Sequence, residues 1–277
     1  MTPAFDVIIP VYNEAIKLRE TAPALKAALT GLRGHVIYVL NNTTDDSDSV
    51  IRHVFGQAAH ILNLPIAGKT RALRAADNVS KQSLRVYLDA DIMVETHTFP
   101  ALLKPLIEGH ADFTSARLIA DLSQCHGLAL RVSRVWADQL SRRHDAFMCC
   151  TAINTAGLQQ RGSWPDILAD DDWARNRIHL SRRMIIEAAK AYMSPPQDMK
   201  NWLKVRARWI RGTRELKHIS TKENYTPASP VKPRGTPLDL TLYYAIRLAA
   251  EPLARLQKNT LHHWGTDNST RRGKYVK

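Results

Sequence analysis

The sequence predicts an α/β protein with a mostly parallel sheet and helices on both faces of that sheet. Short apolar runs alternate with longer segments in which apolar residues recur every three or four positions. Alternation of this kind is typical of βαβ units, which build parallel sheets covered by helices. The chain has 277 residues, of which 44% are hydrophobic and 23% are charged. Such a composition is sufficient for a buried core and excludes wholesale disorder.

The predicted elements follow one another closely along the first two-thirds of the chain. Apolar runs predict strands at 5–11, 35–40, 59–64, 84–88 and 111–118. Helical spacing predicts helices at 15–29, 45–56, 68–79, 98–108, 127–144, 170–178 and 198–212. We expect the last of these helices to end at its glycine, Gly212, because glycine commonly follows a helix.

The carboxyl-terminal part divides into a linker and a helix. Residues 220–237 contain four prolines and few apolar residues, which predicts a linker after a domain spanning 1–219. In the segment 238–277, apolar residues at helical spacing predict an amphipathic helix followed by a basic tail; they are Leu242, Ile246, Ala249, Leu253 and Leu256. Two interpretations remain open for this helix, namely packing on the preceding domain and lying on a membrane surface.

The charge of the chain limits its partners. Its 39 Lys and Arg against 26 Asp and Glu give a net charge of +13, which suits nucleic acid, an anionic membrane or a phosphorylated substrate. Only 7% of residues are aromatic and none forms a stripe among the basic residues, so we expect no nucleic-acid partner. The three cysteines cannot form an even disulfide framework, and the N-terminus lacks a signal-peptide pattern. We therefore expect a cytoplasmic protein.

Two carboxylates directly follow the predicted strand at 84–88. Ligands bind at the carboxyl ends of strands in open parallel sheets, so Asp89 and Asp91 occupy a position where a site is expected. Carboxylate oxygens are preferred ligands of Mg²⁺ and Mn²⁺. The alternative is a solvated turn with no ligand.

A second acidic stretch, Asp170, Asp171 and Asp172, begins a predicted helix. Three carboxylates here complement the positive end of the helix dipole, which is the interpretation that the triplet alone favours. Their mutual repulsion would also raise the pKa of at least one of them, as a general base requires.

Basic residues form two further candidate anion sites. Lys69 follows Gly68 at the start of a predicted helix, where backbone N–H groups favour anions. Arg208 and Arg211 share a helix face and could bind a diphosphate through forked hydrogen bonds, with Trp209 either in the core or stacked on a sugar. No dinucleotide-binding or P-loop glycine motif is present in the sequence.

In their order, these segments resemble family 2 glycosyltransferases of the GT-A fold, with a motif set like that of cellulose-synthase-like and ceramide-glucosyltransferase-like members. The matching segments are DVIIPVYNE at 6–14, VLNNTTDDS at 39–47, GKTRAL at 68–73, LDAD at 88–91, FMCCTA at 147–152, ADDDW at 169–173 and RARWIRG at 206–212.

The resemblance implies a role for each matched residue. The donor-binding set is Pro10, Tyr12, Glu14, Asn41, Lys69, Asp89 and Thr151. A Mg²⁺ or Mn²⁺ ion is bound by Asp91 with Asp89, and Asp171, beside Asp170, takes the proton of the acceptor hydroxyl. Arg208 and Trp209 hold the departing diphosphate and the acceptor. These roles require the acidic stretches near 90 and 171 to meet in one pocket.

The implied reaction is a single displacement with inversion at the anomeric carbon of a nucleotide-sugar, with UDP as the expected nucleotide. Three departures from the family pattern are Leu40 and Asn41 in place of the family's acidic pair, Val205 in place of glutamine and Cys150 in place of glycine. We expect the side chain of Cys150 to narrow that part of the site. Val205 and the lack of a membrane-spanning segment favour transfer of one sugar over polymer synthesis. The charge and the terminal helix suggest a lipid or polyprenyl-linked acceptor at the inner face of the cytoplasmic membrane.

Three other interpretations compete with this one. A nucleotidyltransferase should have a glycine-rich loop after the first strand, and residues 11–20 contain no glycine. A catalytically inactive homologue remains open because of Asn41 and Val205. A basic protein that binds nucleic acid or membranes without catalysis is the third.

Overall fold

The computed structural model describes residues 2–220 and 231–256. Its strands are β1 (Phe5–Val11), β2 (Gly34–Asn41), β3 (Ala59–Leu64), β4 (Arg85–Leu88), β5 (Met93–Val94), β6 (Phe113–Ala120), β7 (Cys150–Ile153) and β8 (Arg183–Met193). Its α-helices are α1 (Ala15–Ala28), α2 (Ser47–Phe55), α3 (Lys69–Val79), α4 (Thr98–Ile107), α5 (Gly127–Ser141), α6 (Thr155–Arg161), α7 (Asp170–Arg177), α8 (Met199–Ser220) and α9 (Pro237–Leu256).

The strands form one sheet of eight in the order β3-β2-β1-β4-β7-β6-β8-β5. β1 pairs in parallel with β2 and β4, and β2 pairs in parallel with β3. β7 runs antiparallel to its neighbours β4 and β6. The α/β prediction is confirmed, and the parallel strands are those that the apolar runs identified.

The chain divides into two compact units. The first comprises Met1–Leu118, Phe147–Asp166 and Asp170–Ala191. The second comprises Ile119–Ala146, Ile167–Ala169 and Tyr192–Lys277. None of the described helices is long and apolar enough to cross a membrane.

The core of the first unit is built around β1, in which every residue is buried. Helix α1 covers the strands with Leu18, Ala22 and Leu25, and the ring of Phe5 contacts that of Phe99 at a centroid distance of 5.8 Å. Apart from Asp6, whose carboxylate accepts hydrogen bonds from Ser80 and Lys81, β1 is an apolar run that is buried on both faces, as is usual in parallel sheets.

The second unit has an aromatic core between α5 and α8. The ring of Trp202 lies 5.9 Å from that of Trp136, and its indole nitrogen donates to the hydroxyl oxygen of Ser133 at 3.0 Å. Helix α9 packs small residues, Ala250 and Ala254, against Ala207 of α8. Small side chains allow two helices to approach closely.

The predicted end of the helix at Gly212 is wrong, because α8 continues to Ser220. A Cβ atom at Gly212 would lie 3.2 Å from the Cβ of Ala169 and 3.3 Å from its backbone nitrogen. The glycine therefore serves close packing inside the helix, not its termination.

The predicted linker and tail lie partly outside the described residues. Residues 221–230 and 257–277 are not described, and 231–236 form neither a helix nor a strand. Pro237 is the first residue of α9, a position where proline is favoured because its missing N–H group is not needed there.

Candidate active site

A cavity in the first unit is lined by six of the twelve predicted site residues. Its empty volume is about 320 Å³, including the part open to solvent. Side chains from five predicted segments line it: Pro10, Lys69, Asp89, Cys149, Thr151, Asp170 and Asp171. The two acidic stretches therefore meet in one pocket, as the sequence predicts.

Lys69 joins the two acidic stretches directly. Its ammonium nitrogen lies 2.8 Å from Oδ1 of Asp89 and 3.0 Å from Oδ2 of Asp170. Burial by itself lowers the pKa of Lys69, but the carboxylates of Asp170, Asp89 and Asp171 outweigh burial and raise that pKa well above its usual value. Lys69 is therefore a permanent cation among the carboxylates.

The position of Lys69 depends on the turn before α3. Gly68 adopts a φ of 153°, which side-chain-bearing residues rarely adopt, and its N–H group donates to Oδ1 of Asn41 at 2.9 Å. Asn41 is fully buried at the end of β2. Asn41 thus fixes the start of the helix that carries Lys69.

The carboxylates at the start of α7 divide into two kinds. Burial raises the pKa of the Asp171 carboxyl well above its usual value, and the charges of Asp170 and Asp89 add to this against the opposing charge of Lys69. Burial likewise raises the pKa of Asp170. Asp172 instead points to Arg175 on its own helix, with an N–O distance of 3.3 Å. Helix capping alone, the interpretation that the triplet favours, does not account for Asp170 and Asp171.

The metal-binding prediction rests on two carboxylates in the structure. Asp91 lies half-buried in the turn after β4, and this turn is held by the Thr21 hydroxyl, which donates to the carbonyl oxygen of Ala90 at 2.8 Å. Across residues 2–220 and 231–256, no group of three His, Cys, Asp or Glu side chains is arranged to hold a metal ion. Asp89 and Asp91 offer the oxygen donors that Mg²⁺ and Mn²⁺ prefer, so a bound ion would need further ligands, such as phosphate oxygens.

Cys149, and not Cys150, is the cysteine that lines the cavity. Its φ is +63°, and its carbonyl oxygen accepts a hydrogen bond of 2.8 Å from the N–H group of Asp89. Burial raises the pKa of the Cys149 thiol well above its usual value, so the thiol is neutral. Cys150 is fully buried in β7 and is not among the residues that line the cavity, so the expected narrowing by its side chain is wrong.

The turn after β1 carries the other predicted donor-binding residues, Tyr12 and Glu14, which lie outside the cavity wall. The N–H group of Glu14 donates to the Ser47 hydroxyl at 3.0 Å, and that of Ala15 donates to Oδ2 of Asp45 at 2.9 Å. The segment around Asp45 therefore caps α1 and fixes the turn.

Trp164 also lines the cavity, and no sequence motif predicted it as a site residue. Its indole nitrogen donates to Oδ2 of Asp77 at 2.8 Å, and the Arg161 guanidinium lies 4.4 Å from the centre of its ring. Asp77 also accepts hydrogen bonds from Arg161 and from the hydroxyl of Tyr87. The only signal in the sequence was an aromatic residue shortly before the acidic triplet.

Arg208 and Trp209 lie on α8, in the second unit. The ring of Trp209 stacks on that of Trp136 at 6.1 Å and contacts the ring of Trp202 edge-on. Trp209 thus belongs to the aromatic core of this unit, the first of the two alternatives that the sequence left open. A contact of Arg208 or Trp209 with a ligand stays a prediction.

The fold agrees with the comparisons with known proteins. Residues 6–131 match the family model described as glycosyl transferase family 2. The matched segment is a little under half of the chain. It contains the turn after β1, Lys69, Asp89 and Asp91, whereas the second acidic stretch lies beyond it. No curated protein matches the sequence.

Solved glycosyltransferase structures share the fold of this chain. The mannosyltransferase PcManGT from Pyrobaculum calidifontis, in complex with GDP-Man and Mn²⁺, has a TM-score of 0.62 and 17% identity, over 91% of this chain and 74% of that one. Glucosyl-3-phosphoglycerate synthase from Mycobacterium tuberculosis, in complex with phosphoglyceric acid, has a TM-score of 0.57 and 15% identity, over 86% of this chain and 91% of that one. S. aureus TarS 1-349 with UDP-GlcNAc has a TM-score of 0.56 and 13% identity, over 92% and 74%. The predicted GT-A fold is confirmed.

Proposed function

We propose that this glycosyltransferase is metal-dependent and inverting, and that it moves one sugar from a UDP-sugar to a hydroxyl acceptor. The observation that carries the proposal is the ion-paired cluster in which Lys69 contacts both Asp89 and Asp170 beside Asp171. A cavity in which carboxylates from two distant segments of the chain converge suits a reaction with two partners, an activated donor and a nucleophile.

In the proposed reaction, Asp171 accepts the proton of the acceptor hydroxyl. The hydroxyl oxygen forms a bond to the anomeric carbon as the bond from that carbon to the diphosphate breaks, and the configuration inverts. A carboxyl whose pKa is raised by burial is a better proton acceptor than a solvated one, because a general base works best when its pKa approaches the working pH. The negative charge of Asp170 raises the pKa of Asp171, and the positive charge of Lys69 lowers it.

Asp91, with Asp89, would hold Mg²⁺ or Mn²⁺ against the donor diphosphate. When bound, such an ion supplies positive charge that stabilises the departing diphosphate. The Mn²⁺ in the structure of the mannosyltransferase with GDP-Man supports this proposal by analogy of fold. Arg208 is proposed to add charge to the same group and Trp209 to contact the acceptor.

The donor is proposed to contact Pro10, Tyr12, Glu14, Asn41, Lys69, Asp89 and Thr151. Pro10 and Thr151 line the cavity, while Asn41 accepts a hydrogen bond from the N–H group of Gly68, the residue before Lys69. Solved structures of the same fold contain GDP-Man or UDP-GlcNAc, so nucleotide-sugar binding is supported at the level of class. We propose UDP as the nucleotide of the donor because the sequence resembles family 2 glycosyltransferases.

The acceptor is proposed to be lipid-linked or polyprenyl-linked and to be met in the cytoplasm at the inner face of the membrane. The net charge of +13 supports this, because a basic protein is attracted to anionic lipids and phosphorylated carriers. An inactive homologue is the alternative, and it would bind a nucleotide-sugar without transferring the sugar.

The proposal is tested by donor binding to Asp91→Ala in Mn²⁺ and in EDTA, measured by calorimetry. Donor affinity should fall at least about tenfold in Mn²⁺, because one carboxylate of a metal site is lost, and should not change in EDTA. Asp48→Ala, an exposed carboxylate on α2, is the matched control and should bind as the wild type does. Equal loss of affinity in both buffers would mean that Asp91 has a structural role.

A further inference from the structure

Helix α9 is apolar on two sides. Its inner side is buried and contains Tyr243, Ile246, Ala250 and Ala254. Its outer side exposes four large apolar side chains, with relative accessibilities of 51% for Leu238, 44% for Tyr244, 71% for Leu248 and 79% for Leu256. Single exposed apolar residues are ordinary, but four on one helix need an explanation.

These four residues share one face of the helix. At 3.6 residues per turn they fall within an arc of about 120° around the helix axis, and exposed Ala245 and Pro252 lie within the same arc. This exposed set differs from the apolar set that the sequence predicts, because three members of the predicted set, Leu242, Ile246 and Leu253, are buried or half-buried. We call the exposed set, Leu238, Tyr244, Leu248 and Leu256, the outer stripe.

The two acidic residues of α9 are both paired with arginines, so the charges that remain unpaired along the helix, among the ion pairs that the structure describes, are positive. Asp239 is paired with Arg131 at 2.9 Å, and Glu251 is paired with Arg214. Exposed basic residues lie before and along the helix; they are Lys232, Arg234, Arg247 and Arg255. The outer surface of α9 therefore combines exposed apolar groups with exposed cations.

We propose that the outer stripe docks on an anionic lipid membrane, with α9 lying in the plane of the interface. Apolar side chains of such a helix enter the boundary between headgroups and acyl chains, while flanking arginines contact anionic headgroups. A second copy of this chain fits less well, because pairing two outer stripes would bring arginines against arginines. This proposal concerns α9 alone and does not depend on the chemistry of the cavity.

The test is flotation of the full-length protein with vesicles of phosphatidylcholine, with and without phosphatidylglycerol. The wild type should float with the anionic vesicles, and the double variant L248S/L256S should lose at least about tenfold in partition coefficient, because two large apolar groups no longer enter the lipid. R247E/R255E should lose the preference for anionic vesicles. Leu180→Ser removes a leucine that is 69% exposed in the first unit and is the matched control, expected to float as the wild type does.

The variants replace exposed residues, and circular dichroism with thermal unfolding should show the wild-type fold. Equal partition of the wild type into neutral and anionic vesicles would overturn the proposal, as would unchanged flotation of L248S/L256S. A dimer in sedimentation equilibrium that L248S/L256S converts to a monomer would assign the stripe to a second copy and also overturn it. Calorimetric donor binding by L248S/L256S should equal that of the wild type, so a failure of the proposed enzymatic function is distinguished from a failure of docking.

Discussion

The ammonium nitrogen of Lys69 lies 3.0 Å from Oδ2 of Asp170, although the two residues are far apart in the sequence. Each residue is the first of its helix, Lys69 of α3 and Asp170 of α7. Their ion pair joins the start of α3, which follows β3, to the start of α7, which carries the proposed base. This contact brings the donor-side carboxylate Asp89 and the base Asp171 into one cavity.

Replacing the proposed base should stop catalysis without preventing donor binding. Asp171→Asn keeps the size of the side chain but cannot accept a proton, so kcat should fall by about 10²–10⁴-fold, the usual contribution of a general base. Donor affinity measured by calorimetry should stay within about threefold of the wild type.

The matched control is Asp172→Asn, on the next residue, whose side chain is 41% exposed and pairs with Arg175. Its turnover should remain close to that of the wild type. If the two variants were equally active, Asp171 would not be the base.

The proposed base also predicts opposite pH dependences of activity and stability. Asp171 must be ionised to accept a proton, so kcat/KM should fall as the pH falls through its pKa, which burial places above the ordinary value of 3.8. A raised pKa in the folded state means that the folded protein holds a proton that the unfolded chain has released. The carboxyl therefore stabilises the fold below about pH 3.8, and this contribution is lost as the pH rises through the raised pKa.

Urea unfolding across this pH range compares the wild type with Asp171→Asn, which cannot titrate. The free energy of unfolding of the variant should increase relative to the wild type as the pH rises. A difference that is constant with pH would contradict the raised pKa.

Lys69 should be essential for stability. Its side chain is 16% exposed and that of Asp170 is 7% exposed, so Lys69→Met leaves carboxylates in a poorly solvated place without their cation. Removing one partner of a buried pair costs about 3 kcal/mol or more of the free energy of unfolding, measurable by urea denaturation at pH 7. The control Lys104→Met removes a lysine that is 71% exposed and should change the free energy by less than about 0.5 kcal/mol. An equally small effect of Lys69→Met would show that the carboxylates do not need it.

The backbone at Cys149 favours glycine. With φ at +63°, a residue with a Cβ atom is strained by about 1 kcal/mol, whereas glycine is not. Cys149→Gly and Cys149→Ala both remove the thiol, so their difference isolates the backbone term. The glycine variant should have the larger free energy of unfolding by about 1 kcal/mol, and equal values would contradict the left-handed conformation.

Short, mainly apolar runs were the part of the fold that the sequence predicted best. The strands predicted at 5–11 and 59–64 coincide with β1 and β3, because a mainly apolar run of this length has few alternatives to a strand. β7 and β8 were not predicted. β7 has only four residues, and β8 mixes buried and exposed positions without regular alternation, so neither has a periodic signal.

Local patterns could place residues on elements but could not assign their partners. Asp170, Asp171 and Asp172 are equivalent in the sequence, yet the first two line the cavity and the third pairs with Arg175. Gly212 matched a helix end, but its role depends on Ala169, a distant residue in the chain. The sequence predicts that Lys69 binds an anion, and in the structure its ammonium group is paired with two carboxylates of the protein itself.

The central claim is that one cavity, bounded by Asp89 and Asp171, binds a nucleotide-sugar with a divalent cation. The most direct measurement is thermal unfolding of the wild type against a panel of nucleotide-sugars, each with Mn²⁺ and with EDTA. A specific donor should raise Tm in Mn²⁺ by several degrees, because a ligand at about a hundred times its Kd stabilises the folded state by about 2.7 kcal/mol. The same donor should have little effect in EDTA. A panel in which no nucleotide-sugar raises Tm under either condition would contradict the account.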